Sequence, residues 1–159
     1  ATAKDIEEAN RIWEQIKNSE NPLEVTNSPI SDRLAKKIRG QSALAGAMNI
    51  SKKTAQVGFE WNNIEGVLAK VDEELNELKE AIQKKDKKHA EEELGDLLFA
   101  LVNIGRWFEI NPEEGLISTN RRFLKRFAYI EKTLKGDLSG KSTIDLELLW
   151  KEAKANVDI

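Results

Sequence analysis

Four acidic residues in two pairs are the part of this sequence best equipped for chemistry: Glu74 and Glu77, then Glu93 and Asp96. Positions three apart differ by roughly 60° around a helix and lie one turn along, so each pair can aim two carboxylates at one point. Either pair alone reads as a solvated helix face, because charge-rich helices are common. Two equivalent pairs on successive helices, in an apolar setting and with arginines downstream, read instead as a site. Four converging carboxylates repel, and a metal is their natural neutraliser. An all-oxygen set suits Mg²⁺ or Mn²⁺, whereas a di-iron bundle would need Glu-x-x-His on two helices. The single histidine, His89, lies in a charged turn and reads as an exposed spectator. Carboxylates holding Mg²⁺ opposite arginines are what phosphoanhydride cleavage requires. Arg122 and Arg126, four apart on one helix face, would supply that cationic surface, although helix arginines are also routinely just solubilising. No P-loop, catalytic-serine or Cys/His zinc pattern competes. Phe59, Trp61, Trp107 and Trp150 are candidate stacking surfaces for a base, each also explicable as core.

The elements that must position the acidic pairs follow from apolar spacing. Ile64, Val67, Leu68, Val71, Leu75, Leu78 and Ile82 predict an amphipathic helix from Ile64 to Gln83, with Glu74 on the shoulder of its stripe and Glu77 a step further out. Leu94, Leu97, Leu98, Leu101 and Ile104 predict a second from about His89 to Phe108, with Glu93 and Asp96 in the corresponding places. Phe99, Ala100, Val102 and Trp107 extend its apolar surface nearly all round, which predicts a buried helix and a core-like setting for Asp96. Glu73 and Glu92 point away from the stripes as solvated charges. The short Lys84 to Lys88 turn makes the two helices antiparallel neighbours and brings the pairs face to face.

The remaining pattern is helical too, and no run alternates long enough to build a sheet. Lys4 to Lys17 reads as a helix, Asn18 to Asp32 as a linker or ordered loop with two prolines, and Arg33 to about Val57 as one further helix weakened near Gly40 and Gly46. Gly58 to Trp61 breaks it, and Asn62 or Asn63 can cap the helix that follows. Asn111-Pro112 opens a helix to about Leu134, and a closing helix covers Ile144 to Asn156. The expectation is an all-α helical bundle in one domain, 33–159, preceded by a helix over 1–17 and a linker over 18–32. With 159 residues, 40% hydrophobic content and a net charge of −3, the chain offers no broad basic surface for nucleic acid. There is no membrane-length apolar run and no basic-then-apolar amino-terminal signal, so neither membrane insertion nor secretion is expected. Without cysteine, disulfide and thiolate chemistry are excluded, and a cytoplasmic setting is the default expectation.

Glu73-Glu74-Leu75-Asn76-Glu77 followed by Glu93-Leu94-Gly95-Asp96 resembles the EExxE and ExxD motifs of the MazG-type nucleoside triphosphate pyrophosphohydrolases. Val57 to Trp61, Gly95 to Asn103 and Asn120 to Phe127 resemble the same family, and the likeness runs from about Leu44 to the end. It implies an all-α fold whose core is completed by homodimerisation, and Mg²⁺-dependent hydrolysis of nucleoside triphosphates to monophosphate and pyrophosphate. By that resemblance Glu74, Glu77, Glu93 and Asp96 are metal ligands, and Glu73 and Glu92 are supporting groups or bases. Arg122 and Arg126 correspond to a phosphate-binding pair, and Trp150 and Asn103 to nucleotide-binding positions. His89 departs from the lysine that some relatives carry there. Trp13 to Lys17 echoes Trp150 to Lys154, so the resemblance also implies that 1–17 is the tail of a preceding domain. Two other readings stand beside it: a narrower all-α pyrophosphatase for dUTP, dCTP or a modified nucleotide, and a non-catalytic helical module that binds a basic partner.

Overall fold

The structure, a computed structural model, describes residues 29–158 together with Arg11. The expected helix over 1–17 and residues 18–28 of the expected linker lie outside the described residues, while the last three linker positions, Ile30 to Asp32, are already helical. Among those described there are six α-helices and no strand: α1 (Ile30–Lys37), α2 (Ala43–Gln56), α3 (Ile64–Gln83), α4 (Lys87–Trp107), α5 (Pro112–Thr133) and α6 (Thr143–Val157).

Capping chemistry explains most of these boundaries. The Asn63 side chain accepts the Gly66 amide at the start of α3, Asp86 accepts His89 at α4, and Asn111 accepts Glu113 and Glu114 at α5, where Pro112 takes the first helical position. A reciprocal capping box between Ser142 and Asp145 starts α6. The single helix expected from Arg33 to Val57 is in fact two, because Gly40 adopts φ +76° between them and Ser42 caps a new start by accepting the Ala45 amide. The Ser42 hydroxyl in turn donates to Glu113 Oε2 at 2.6 Å, tying the start of α2 to the start of α5.

The longest shared packing is between α3 and α4. Lys85, at φ 57°, turns the chain so that only Lys84, Lys85 and Asp86 separate the two helices, and they fold back on each other. Val67, Ala81, Ala100 and Val102 fill the seam, while α2 covers α4 from one side and α6 packs on α5. Gly105 makes the elbow into α5 possible: a β-carbon there would stand 2.8 Å from Pro112 Cγ and 2.9 Å from the Ile110 carbonyl oxygen.

The expectation that α4 is buried all round fails in the single chain. Leu94, Leu98, Phe99 and Leu101 on α4 are well exposed, as are Leu68, Leu75 and Ile82 on α3. Asp96 is exposed rather than core-like. The wide apolar surface that suggested burial is real, but too few elements of this chain reach it.

Candidate active site

The α3–α4 hairpin places carboxylate oxygens of Glu74, Glu77 and Glu93 within 4.8 Å of one another. Glu74 and Glu93 are 5% and 8% exposed, and Glu77 is half-buried. The first member of each pair thus sits deep and the second nearer solvent, as the one-turn offset dictates. Asp96 lies outside that trio but lines the same cavity as Glu74. Glu73 and Glu92 are exposed, Glu73 within 3.3 Å of Lys70 Nζ and Glu92 within 4.0 Å of His89 Nδ1.

Electrostatics separates the three crowded carboxylates. Lys70 Nζ lies 3.0 Å from Glu74 Oε1, and this contact holds Glu74 below the usual carboxylate range and raises Lys70 above its own. Glu93 goes the other way: burial, then hydrogen bonding and repulsion from Glu77, with Glu74 contributing, push its carboxyl up to about 7. Without a cation, Glu93 is therefore the carboxyl of the trio that takes up a proton most readily. Glu74 Oε2 and Glu93 Oε2 are buried with no hydrogen-bond partner among the described residues. Two orphaned carboxyl oxygens beside a third carboxylate fit a hard divalent cation, which would satisfy all of them at once and displace any proton on Glu93.

Beside the trio opens a cavity of about 600 Å³, within the range that holds small-molecule ligands. Lys70, Glu74 and Asp96 line its acidic end, and Ser51, Glu60, Asn103 and Arg106 line the other, between Phe59, Trp61 and Phe99. Of the expected aromatic platforms, Phe59 and Trp61 face this cavity, and Asn103 is on its wall.

Arg122, Arg126 and Trp150 are not in that lining; they form a second cluster on α5 and α6. Arg126 is paired with Asp158 through Nε and the terminal guanidinium nitrogen, and its Cζ stands 5.3 Å over the Trp150 ring. Phe123 packs on Trp150 with centroids 5.3 Å apart. Arg122 donates to Ser118 and Thr119 on its own helix.

Sequence reasoning missed Lys70, Ser51, Glu60 and Arg106, and read His89 as a spectator. Lys70 carried a usable signal, since it stands three and four residues before Glu73 and Glu74. His89 Nε2 is 3.5 Å from Glu93 Oε1, again four residues apart.

The α3–α4 hairpin thus defines an all-α protein that crowds carboxylates beside a ligand-sized cavity, with a donor set that fits a divalent cation. Residues 62–124 match the family model of the MazG nucleotide pyrophosphohydrolase domain, a segment that contains all four expected ligands and Arg122. The chain carries a domain of the MazG family. A nucleoside triphosphate pyrophosphohydrolase/pyrophosphatase MazG from Thermotoga maritima is 38% identical over 145 residues, covering 89% of this chain and 54% of the relative. A nucleoside triphosphate pyrophosphohydrolase from Escherichia coli K12 is 34% identical over 161 residues, covering 97% of this chain and 59% of the relative. The uncharacterized protein YabN of Bacillus subtilis is 51% identical over 65 residues, 39% of this chain and 13% of that protein. The chain spans little more than half the length of the first two of these curated relatives. No described helix is long and apolar enough to cross a membrane.

Proposed function

We propose that this chain hydrolyses nucleoside triphosphates to the monophosphate and pyrophosphate, with Mg²⁺ or Mn²⁺ held by Glu74, Glu77, Glu93 and Asp96. The observation that carries the reading is the pair of orphaned buried oxygens on Glu74 and Glu93, with Glu74 itself lining the cavity. Similarity to relatives named for this activity supports it. When bound, the cation would share the charge of the phosphate oxygens and lower the cost of water attack. Water adds across the α,β-phosphoanhydride: one P–O bond forms, the bridging P–O bond breaks, and the bridging oxygen departs with pyrophosphate. Glu73 or Glu92, exposed beside the trio, takes the proton of the attacking water. Lys70, ion-paired with Glu73 and Glu74, is placed to exchange a carboxylate for a phosphate oxygen.

The second cluster enters this reading through a homodimer. Exposed Leu68, Leu75 and Ile82 on α3 and Leu94, Leu98 and Leu101 on α4 offer an apolar surface that a second copy can cover. Arg122, Arg126 and Trp150 lie away from the cavity of their own chain. In the dimer, Arg122 and Arg126 would grip phosphates and Trp150 would meet the nucleotide. The partners are thus nucleoside triphosphates and a second copy, in the cytoplasm where the nucleotide pool resides.

The test is pyrophosphate release from the eight common nucleotides, with Mg²⁺ or Mn²⁺ and with chelator, alongside sedimentation. Metal-dependent release of pyrophosphate and a mass twice that of the chain are expected. Silence with every nucleotide in metal-replete protein would favour a helical interaction module, and activity confined to dUTP or dCTP the narrower pyrophosphatase.

A further inference from the structure

The cavity wall opposite the carboxylates holds a polar chain that the proposed hydrolysis does not use. It starts at Glu60, which Arg106 grips with both terminal nitrogens at 2.5 and 2.6 Å. This fork holds Glu60 below the usual carboxylate range, and the Trp61 amide adds a third donor to the same carboxylate at 2.9 Å. Arg106 Nε then donates to Ser51 Oγ at 2.6 Å, and the Ser51 hydroxyl donates to Asn103 Oδ1 at 2.5 Å.

The order of donors in this chain has a fixed direction. A guanidinium has no acceptor, so the Ser51 proton cannot point back at Arg106 and goes to Asn103. Ser51 is 3% exposed, which leaves its hydroxyl little access to water. Turning the Asn103 amide over would set two N–H donors on one hydroxyl oxygen and strip the hydroxyl proton of its acceptor. The network therefore assigns Oδ1 to Ser51 and leaves Nδ2 as a donor with no protein partner among the described residues.

That donor belongs to a cavity wall that also carries Phe59, Trp61 and Phe99. Phe59 and Trp61 flank Glu60, so the Arg106 fork that starts the chain also tethers the loop that carries the rings. Aromatic faces plus one directed donor suit a flat heterocycle with an acceptor on its edge.

We propose that this end of the cavity takes the nucleobase, and that Asn103, locked as a donor by Arg106 through Ser51, selects bases whose edge presents a carbonyl over those that present an amine. The proposal rests on the reading of the site as a nucleoside triphosphate site. Asn103 is the specificity-determining residue, and Ser51 and Arg106 are positioning residues.

The test compares substrates that exchange a carbonyl for an amine at one ring position: ITP against ATP, and UTP against CTP. Wild type is expected to show kcat/KM about tenfold higher for ITP and UTP, the scale of one directed hydrogen bond. Asn103→Asp replaces the free donor with an acceptor and should reverse both ratios. Ser51→Ala releases the amide to turn either way and should bring both ratios close to one, and it carries the test alone if Asn103→Asp does not fold. Ratios near one in wild type, or ratios unchanged in active, folded variants, would overturn the proposal. Calorimetric titration with IMP, AMP, UMP and CMP reads the same preference without turnover. No pyrophosphate from any of the four triphosphates would defeat the hydrolysis reading, while the monophosphate ratios would still decide this one.

Discussion

The two charged regions of this molecule are built on opposite principles. The hairpin of α3 and α4 gathers Glu74, Glu77 and Glu93 beside Lys70 and leaves two buried carboxylate oxygens without partners among the described residues. The α5–α6 end pairs Arg126 with Asp158 and lays it on Trp150, so its charge is already answered. The first region leaves carboxyl oxygens that a cation could satisfy. In the second, Arg126 is already answered, and a phosphate can reach that guanidinium only by displacing Asp158. Unmet charge thus marks the site that a ligand must finish, whereas met charge marks one that a ligand must compete for.

The largest effect is expected from the unmet side. Glu74→Gln or Glu93→Gln should lower metal-dependent kcat/KM by on the order of a thousandfold, because each removes a charge that the cation needs. Metal-free Glu93→Gln should melt no lower than wild type, since it also removes a repelled carboxylate; steady-state kinetics and a melt in chelator check both halves. Wild-type turnover in either variant would collapse the contrast.

On the met side, Arg126→Ala should cost about two orders of magnitude in kcat/KM, with kcat falling, if the guanidinium meets charge that develops during cleavage. Asp158→Asn should act in the opposite sense and lower KM by about threefold, because Arg126 no longer has a competing carboxylate. A kcat/KM for Arg126→Ala equal to wild type would return that end to a purely structural role.

A smaller signal separates the regions by pH. With its carboxyl pushed from 4.5 up to about 7, Glu93 should hold a proton in the folded metal-free protein across a window where the unfolded chain has lost it. Its stability contribution therefore falls as pH rises through that window and is level above it. Glu74 and Asp158, both held low, work below their ordinary values of 4.5 and 3.8, where their contribution is lost as pH falls through their folded values. Melting temperatures in chelator, wild type minus Glu93→Gln, should decline from pH 4.5 to 7, and saturating Mg²⁺ should remove the decline. A flat difference would show that Glu93 is ionised throughout. The smallest effect belongs to Arg121→Ala, which should change kinetics and stability by no more than about 0.5 kcal/mol, since that side chain projects about 100° away from Arg122.

How much of this was legible in the sequence depended on how local each signal is. The bounds of α3, Ile64 to Gln83, came directly from the apolar stripe and the Asn63 cap, both contained in the segment itself. The break between α1 and α2 was missed because Gly40 reads equally as a weak helical residue, and only its positive φ ends the helix. Glu74, Glu77 and Glu93 were found through spacing within two adjacent helices. Asp96 was misread as core-like because periodicity reports an apolar surface but not whether anything covers it. Ser51, Glu60 and Arg106 were invisible for a different reason: they come from three elements, with Ser51 and Arg106 55 residues apart, and no period links them.

The hairpin turn at Lys85 also bears on how the chain folds. With only three residues between α3 and α4, closing them costs little loop entropy, and their contacts form between segments that emerge together. The carboxylates that repel in the finished metal-free protein are therefore among the first groups brought together during folding. A divalent cation present at that stage would speed the pairing of the two helices, so the refolding rate itself, and not only the final stability, should rise with metal concentration.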